Sequence, residues 1–449
     1  MSKKSKNGKV GVLPKECTSS EEILEIRKKH FLPTAALYYN TPLQLTKAKG
    51  NYVYDEKGNE YLDAIGGIVC NSLGHNHPKI QEALIEMIKA DEIQHTTTLY
   101  LNKHITNLAK KIVQEAPLGI DRCSFTNSGS EANELAFMAA RHATGEATIV
   151  NLKHGYHGGT SGVQASLHTW RFKSQPNPSL TSAYAPYCYR CPFNKTPDNC
   201  HLECAKDVEH TIQTTTHGKI AGFIAEPVMG IGGVITPPEE YFPLVTKIVH
   251  NYGGKYISDE VQTGAGRCGG TFLLSKALKI EADIITMAKG FGNGAAIGAT
   301  LMKSDIASTL AGKLYFNTFA GDPYQTMQAL KTMEIIEEEN LAENAMTMGK
   351  YLINSLNELM KKHKIIGEVR GRGLLVGIEL VKDRKTKEYA TSECAQLMEL
   401  AKDRGLLIGK GGLFGNVIRI APALSIDKEK IAFIVRILDE SLFEISQRN

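Results

Sequence analysis

The sequence predicts an α/β protein, with a large domain built on a mostly parallel sheet and a small α+β domain assembled from both ends of the chain. Three observations carry this expectation. Short β-prone runs alternate with helical patterns between about residues 79 and 330. All but the last of these runs are followed directly by polar or glycine-rich residues, as expected where ligands bind at the carboxyl ends of parallel strands. The length, 449 residues, exceeds one ordinary hydrophobic core. The expected boundaries are 1–78 for the N-terminal segment of the small domain, 79–330 for the large domain and 331–449 for the C-terminal part of the small one.

In chain order, residues 51–63 alternate around a Glu-Lys-Gly-Asn turn and read as a hairpin. The β-prone runs of the large domain are 123–126, 147–152, 220–225, 256–258, 284–287 and 297–302. A helix is expected from Gly129 to near Gly145, because Leu135, Met138 and Ala139 recur at helical spacing behind a Ser128/Glu131 capping box. A long helical stretch follows at 325–363, then a strand-rich piece at 371–380, a helix and the strand 417–420.

Bulk composition narrows the function. Hydrophobic content of 42%, charged content of 22% and 41 glycines describe an enzyme-like globular chain. A formal charge of +4 with no basic stripe gives no case for nucleic acid or a membrane surface, so small molecules are the expected partners. No apolar run approaches the roughly 20 residues needed to span a bilayer. The basic start, Met1 to Lys6, is followed by an apolar segment broken at Pro14, and no arginine precedes Arg27. The expected location is cytoplasmic. Nine cysteines without an export signal are expected to be mostly reduced.

The chemistry gathers at strand ends. Lys289 follows the apolar pair Ile284-Ile285 and precedes Gly290-Phe291-Gly292-Asn293-Gly294, a setting that removes it from bulk water. Desolvation lowers a lysine pKa toward the uncharged form that attacks carbonyls and moves protons. Asp259 ends the run 256–258, where a buried carboxylate needs a facing cation. Ser128, Gly129 and Ser130 open a helix and present free N–H groups and a hydroxyl to an anion. Alone, that helix start reads as an ordinary cap. A buried lysine, a buried acid and an anion-cradling helix start together are what pyridoxal phosphate chemistry requires. Glu226, at the end of 220–225, either orients the neighbours of Asp259 or serves as a structural hydrogen-bond acceptor.

Other motifs are discounted. Gly264-Ala265-Gly266-Arg267-Cys268-Gly269 matches G-x-G-x-x-G, yet no helical periodicity follows it directly. His75 and His77 lack further ligands and read as turn residues. Cys188, Cys191, Cys200 and Cys204 form C-x2-C-x8-C-x3-C, which reads as free thiols, with a structural zinc loop as the alternative. No metal ligand set is assigned.

At these residues the chain resembles the class III (subgroup II) aminotransferases of pyridoxal-phosphate fold type I, in their alanine-glyoxylate aminotransferase 2-like branch. The resemblance runs from about residue 36 to the end. It rests on Gly66-Gly67-Ile68-Val69, Gly74-His75-Asn76-His77-Pro78, Ser128-Gly129-Ser130-Glu131-Ala132, Gly155-Tyr156-His157-Gly158, Ala225-Glu226-Pro227, Asp259-Glu260-Val261-Gln262, Ala288-Lys289-Gly290, Asn317-Thr318-Phe319 and Arg419-Ile420-Ala421-Pro422. It implies that Tyr156 stacks on the cofactor ring with Val261 on the other face, that His157 and Glu226 belong to the cofactor site, and that Gln262 bonds the phenolic oxygen. It further implies that Thr318 reaches the phosphate in a neighbouring subunit of a homodimer, and that Arg419 takes the substrate α-carboxylate. Relatives that use ornithine or aminobutyrate mask that arginine with a glutamate, where Ile231 stands here. Ala265, Cys268 and the Phe319-Ala320-Gly321-Asp322-Pro323 stretch also depart from the family pattern. The expected reaction passes an amino group from a small donor such as alanine to glyoxylate, pyruvate or a related oxo acid. A phospho-lyase or aminomutase of the same family, or a catalytically dead binding homologue, is the alternative.

Overall fold

The computed structural model describes residues 19–34, 36–313 and 315–448. The start of the chain, on which the expectation of a cytoplasmic location rested, lies outside the described residues. A hairpin forms at β1 (Leu45–Lys49), β2 (Tyr52–Asp55) and β3 (Glu60–Asp63), with β2 and β3 antiparallel around the expected turn. The central sheet contains β4 (Ile120–Thr126), β5 (Ile149–Leu152), β6 (Leu180–Ala183), β7 (Gly222–Ala225), β8 (Lys255–Asp259), β9 (Ile284–Met287) and β10 (Gly298–Lys303). Its order is β4-β10-β9-β8-β7-β5-β6. The run β9-β8-β7-β5-β6 is parallel, and only β10 is reversed, pairing antiparallel with both β4 and β9.

Every residue of β5, β7 and β9 is buried, because helices cover both faces of the sheet. Each fully buried Ile, Val or Leu in these strands contributes roughly 1.5–3 kcal/mol of apolar transfer. The helix Gly129–Thr144 leaves β4 at one edge and crosses to β5, packing on β10, β9, β8 and β7 on the way. Its N-terminus is thereby placed above the carboxyl ends of the middle strands.

Beyond residue 360 come β11 (Ile366–Arg372), β12 (Leu375–Leu380), β13 (Leu406–Leu407), β14 (Gly409–Gly411) and β15 (Val417–Ile420). Strands β11, β12, β15 and β14 form an antiparallel sheet, while β13 pairs parallel with β3. One sheet therefore draws on both ends of the chain.

Three expectations change. The stretch 325–363 is two helices, Pro323–Glu338 and Leu341–Lys362, broken where Asn340 turns left-handed with φ 51°. Strand β6, a short mixed Leu-Thr-Ser-Ala segment, extends the sheet without having stood out in the sequence. Glu131 completes the cap one residue early: its carboxylate accepts from Asn127 N (2.6 Å), while Ser128 Oγ accepts from Glu131 N (3.2 Å).

Asp283, just before β9, ties the sheet together by accepting from His250 Nε2 (2.7 Å), Lys303 Nζ (2.7 Å) and Tyr256 N (2.8 Å). Burial alone would raise its carboxyl, but these donors outweigh it and hold the pKa at about 2. The folded value lies below the unfolded one near 4, so this stability is present above about pH 4 and is lost as pH falls toward 2. Asp283→Asn should cost about 2 kcal/mol at pH 7. In urea melts run between pH 7 and 3, the gap to wild type should narrow at the acid end; a gap independent of pH would contradict the assignment.

Candidate active site

The carboxyl ends of β4, β7, β8 and β9 open into a cavity of about 300 Å³. It is lined by Ser128, Gly129, Ser130, Tyr156, His157, Glu226, Asp259, Val261, Gln262 and Lys289, all of them residues expected from the sequence. Asn133 and Cys70 also line it and were not anticipated as site residues.

Asp259, 2% exposed, ends β8. Its Oδ2 accepts from His157 Nδ1 (2.7 Å) and Asn133 Nδ2 (2.9 Å), and its Oδ1 from Val261 N (3.1 Å). Among the described residues no lysine or arginine pairs with it, so its charge is held by one histidine and neutral donors. Asn133 also donates to His157 O (2.7 Å) and accepts from Thr286 Oγ1 (2.7 Å), which fastens the helix Gly129–Thr144 to β8 and β9 together.

That fastening sets the anion cradle. The first-turn N–H groups of the helix have no intrahelical acceptor. Ser130 Oγ accepts from Gly159 N (3.0 Å), which draws the loop after Tyr156 over the helix start. A Cβ on Gly129 would stand 2.9 Å from a Val261 methyl, so only glycine lets backbone and Val261 share this wall.

Lys289 follows β9 in a left-handed conformation, φ 48°, at the head of a short 3-10 turn. It is partly open to the cavity and enclosed elsewhere; burial lowers its pKa, opposed by the charge of Asp259. Facing it is a second strained element. Gly66, Gly67, Ile68 and Val69 all have positive φ, from 58° to 75°, which costs about 1–2 kcal/mol at each non-glycine residue. Asp63 anchors this turn, accepting from Ile65 N (3.1 Å) and Gly66 N (2.9 Å), while His75 Nε2 bonds its other oxygen (2.9 Å). His75 thus acts as a turn residue, as expected.

Tyr156 forms another wall, stacked on His168 with ring centroids 4.7 Å apart. Glu226 clamps two loops, accepting from Tyr156 N (3.1 Å) and Gly230 N (2.9 Å). Burial raises its pKa, and the neighbouring Asp259 adds to the shift.

Two expected residues stand apart. Arg419, on β15, lies behind Gln262 rather than on the cavity wall, with Nη2 donating to Gln262 Oε1 (2.6 Å). Thr318 is exposed, outside the cavity of its own chain; its neighbour Asn317 accepts from Asn127 Nδ2 (2.8 Å) beside the helix start. The G-x-G-x-x-G match forms a turn against the helix Leu341–Lys362, where a Cβ on Gly269 would meet Met346 backbone at 2.8 Å. Cys188, Cys191 and Cys200 border one surface cavity, and burial pushes the Cys204 thiol up to about 12, with Cys188 and Cys200 adding to the shift. Among the described residues all cysteines are free and no three His, Cys, Asp or Glu side chains are grouped to hold a metal ion.

Comparison with known proteins fits this geometry. Residues 34–442 match the family model described as Aminotransferase class-III. The chain is 41% identical over 426 residues to alanine–glyoxylate aminotransferase 2 homolog 2, mitochondrial, of Arabidopsis thaliana, covering 94% of this chain and 88% of that protein. It is 33% identical to the leucine/methionine racemase of Thermococcus litoralis, covering 92% and 93% of the two chains. Among solved structures, an amine transaminase from an uncultivated Pseudomonas species in its PLP-bound form superposes with a TM-score of 0.85 at 28% identity, covering 92% of this chain and 98% of that one.

Asn133 is the buried link between Asp259, His157 and Thr286. Asn133→Ala should leave these groups short of partners and lower stability by about 1–3 kcal/mol. Denaturant unfolding checks this, and wild-type stability in the variant would show that the three groups find other partners.

Proposed function

The chain belongs to the class III aminotransferases, and from that premise we propose that it passes an amino group from a small donor such as alanine to glyoxylate, pyruvate or a related oxo acid. Fold type I and a pyridoxal phosphate cofactor come with the family. The cavity suits that cofactor on its own terms: the unpaired helix-start amides and the Gly129 wall fit a phosphate, and Asp259 is a buried carboxylate with no lysine or arginine in ion-pair contact among the described residues. Asp259 opposite Lys289 in one cavity is the observation that carries the proposal.

When bound, pyridoxal phosphate supplies the electron sink for negative charge at the substrate Cα. In our reading Ser128, Gly129 and Ser130 hold the phosphate with backbone N–H groups and a hydroxyl. Asp259, oriented by Asn133 and His157, would keep the ring nitrogen charged, and Tyr156, Val261 and Gln262 would hold the ring. Glu226 fixes the Tyr156 and Gly230 loops. Lys289 Nζ, with its pKa lowered by burial, moves the proton at the substrate Cα. Arg419 has no acid paired with it among the described residues, consistent with Ile231 at the masking position, and receives the substrate carboxylate.

Thr318 completes the site in our proposal by reaching the phosphate of a second copy of the chain. Exposed Leu99, Tyr100, Leu101, Phe316 and Phe319 support such a homodimer. The cytoplasmic location stands as a proposal beside a relative whose own name places it in mitochondria. The racemase relative supports a second reading, in which Lys289 and the same cofactor invert Cα without releasing the amine. A donor and oxo-acid screen that follows the cofactor spectrum and the chirality of recovered amino acid separates the two: transfer changes the spectrum in each half-reaction, and racemisation yields D-amino acid with no net transfer.

Borohydride treatment should leave a cofactor-mass adduct on Lys289 in the peptide map. Lys289→Ala should fold, bind cofactor and turn over at least a thousandfold more slowly, about 4 kcal/mol of barrier; full activity would sink the assignment. As donors, alanine should exceed ornithine by at least tenfold in kcat/KM, about 1.4 kcal/mol, because unmasked Arg419 favours a reacting amine α to the carboxylate it holds over the distal δ-amine of ornithine. Ornithine proving the better donor would overturn the pocket and leave the cofactor assignment standing.

A further inference from the structure

We propose that Gln262 sets the carboxylate requirement of this site by holding the Arg419 fork in position and tying it to the cavity wall, an inference that rests on the aminotransferase reading. Arg419 is 1% exposed, and its backbone is fixed in β15 between β12 and β14. Its only side-chain hydrogen bond among the described residues runs from Nη2 to Gln262 Oε1 (2.6 Å). Nε is buried with no partner. A fully buried guanidinium with an unfilled edge and no ion pair is poised for a planar anion.

Arginine only donates, so the oxygen end of the Gln262 amide has to face it, leaving Nε2 as a donor on the cavity side. One side of the amide is closed by backbone. A Cβ on Gly230 would stand 2.5–2.7 Å from Oε1, Cδ and Nε2, and Gly230 N is itself held by Glu226 Oε2 (2.9 Å). Arg419 is confined on another side, where a Cβ on Gly411 would meet its Cδ at 2.7 Å and Ile231 O at 2.9 Å. Gln262 is thus a neutral positioning residue with one end on the carboxylate arginine and the other on the cofactor cavity. A neutral partner leaves the charge of Arg419 free for a substrate carboxylate. An acid at 262 would neutralise it. The substrate class that follows is amino and oxo acids with a free α-carboxylate, in preference to plain amines.

Calorimetric titration of the cofactor-loaded full chain with propionate, a carboxylate without an amine, tests this apart from turnover. Gln262→Glu should weaken propionate at least tenfold and Gln262→Met about fivefold. Should Gln262→Glu fail to fold, Gln262→Met decides alone. In the donor half-reaction, both variants should raise KM for alanine by a larger factor than KM for isopropylamine. Propionate binding within twofold of wild type in the folded variants would overturn the proposal, as would tighter binding by Gln262→Met, which would make Gln262 a mask. A wild-type protein that binds propionate, with the binding lost in both Gln262 variants, but shows no spectral change with alanine would keep the positioning role of Gln262 and overturn alanine as the donor.

Discussion

A carboxylate sealed at the end of a sheet strand has to be compensated, and the way Asp259 is compensated arranges most of what surrounds it. Removing such a charge from water costs several kcal/mol even after relaxation. The protein meets that cost with His157, Asn133 and the Val261 amide rather than with a lysine or arginine. Asn133 lies one turn into the helix Gly129–Thr144 and also holds Thr286 of β9, so solvating Asp259 fixes the register of the helix over the sheet. Helix register in turn fixes where the amides of Ser128, Gly129 and Ser130 point. The acid and the anion cradle are consequently one construction.

The opposite wall is built from strained backbone. Lys289 at φ 48° and the left-handed run Gly66–Val69 are conformations that L-residues avoid, and they persist because tertiary contacts over-determine them. Asp63, held by His75, anchors one, and the packed end of β9 carries the other. The result is a lysine enclosed by protein, with its pKa lowered, whose amine still reaches the cavity.

Much of this was legible in the sequence because the groups concerned follow directly on buried strands, and a polar residue after an apolar β-prone run is a local signal. Lys289, Asp259, Glu226 and Ser128 were all found that way. Asn133 left no such signal: it sits inside a helix, and its value comes from partners 126 and 153 positions away. The same holds for Arg419, which the family resemblance singled out, although its partner Gln262 lies 157 positions away. The break at Asn340 was hidden because helical periodicity continues on both sides of one left-handed residue. Thr318 is exposed, outside the cavity of its own chain.

The central claim is that Asp259, which no lysine or arginine pairs among the described residues, holds a positive charge on the bound cofactor. Nitrogen-15 NMR of the holoenzyme loaded with ring-labelled pyridoxal phosphate tests it most directly. The account predicts a protonated ring nitrogen in the wild type near neutral pH and a deprotonated one in Asp259→Ala with cofactor still bound. A ring nitrogen in the same protonation state in both proteins would contradict it.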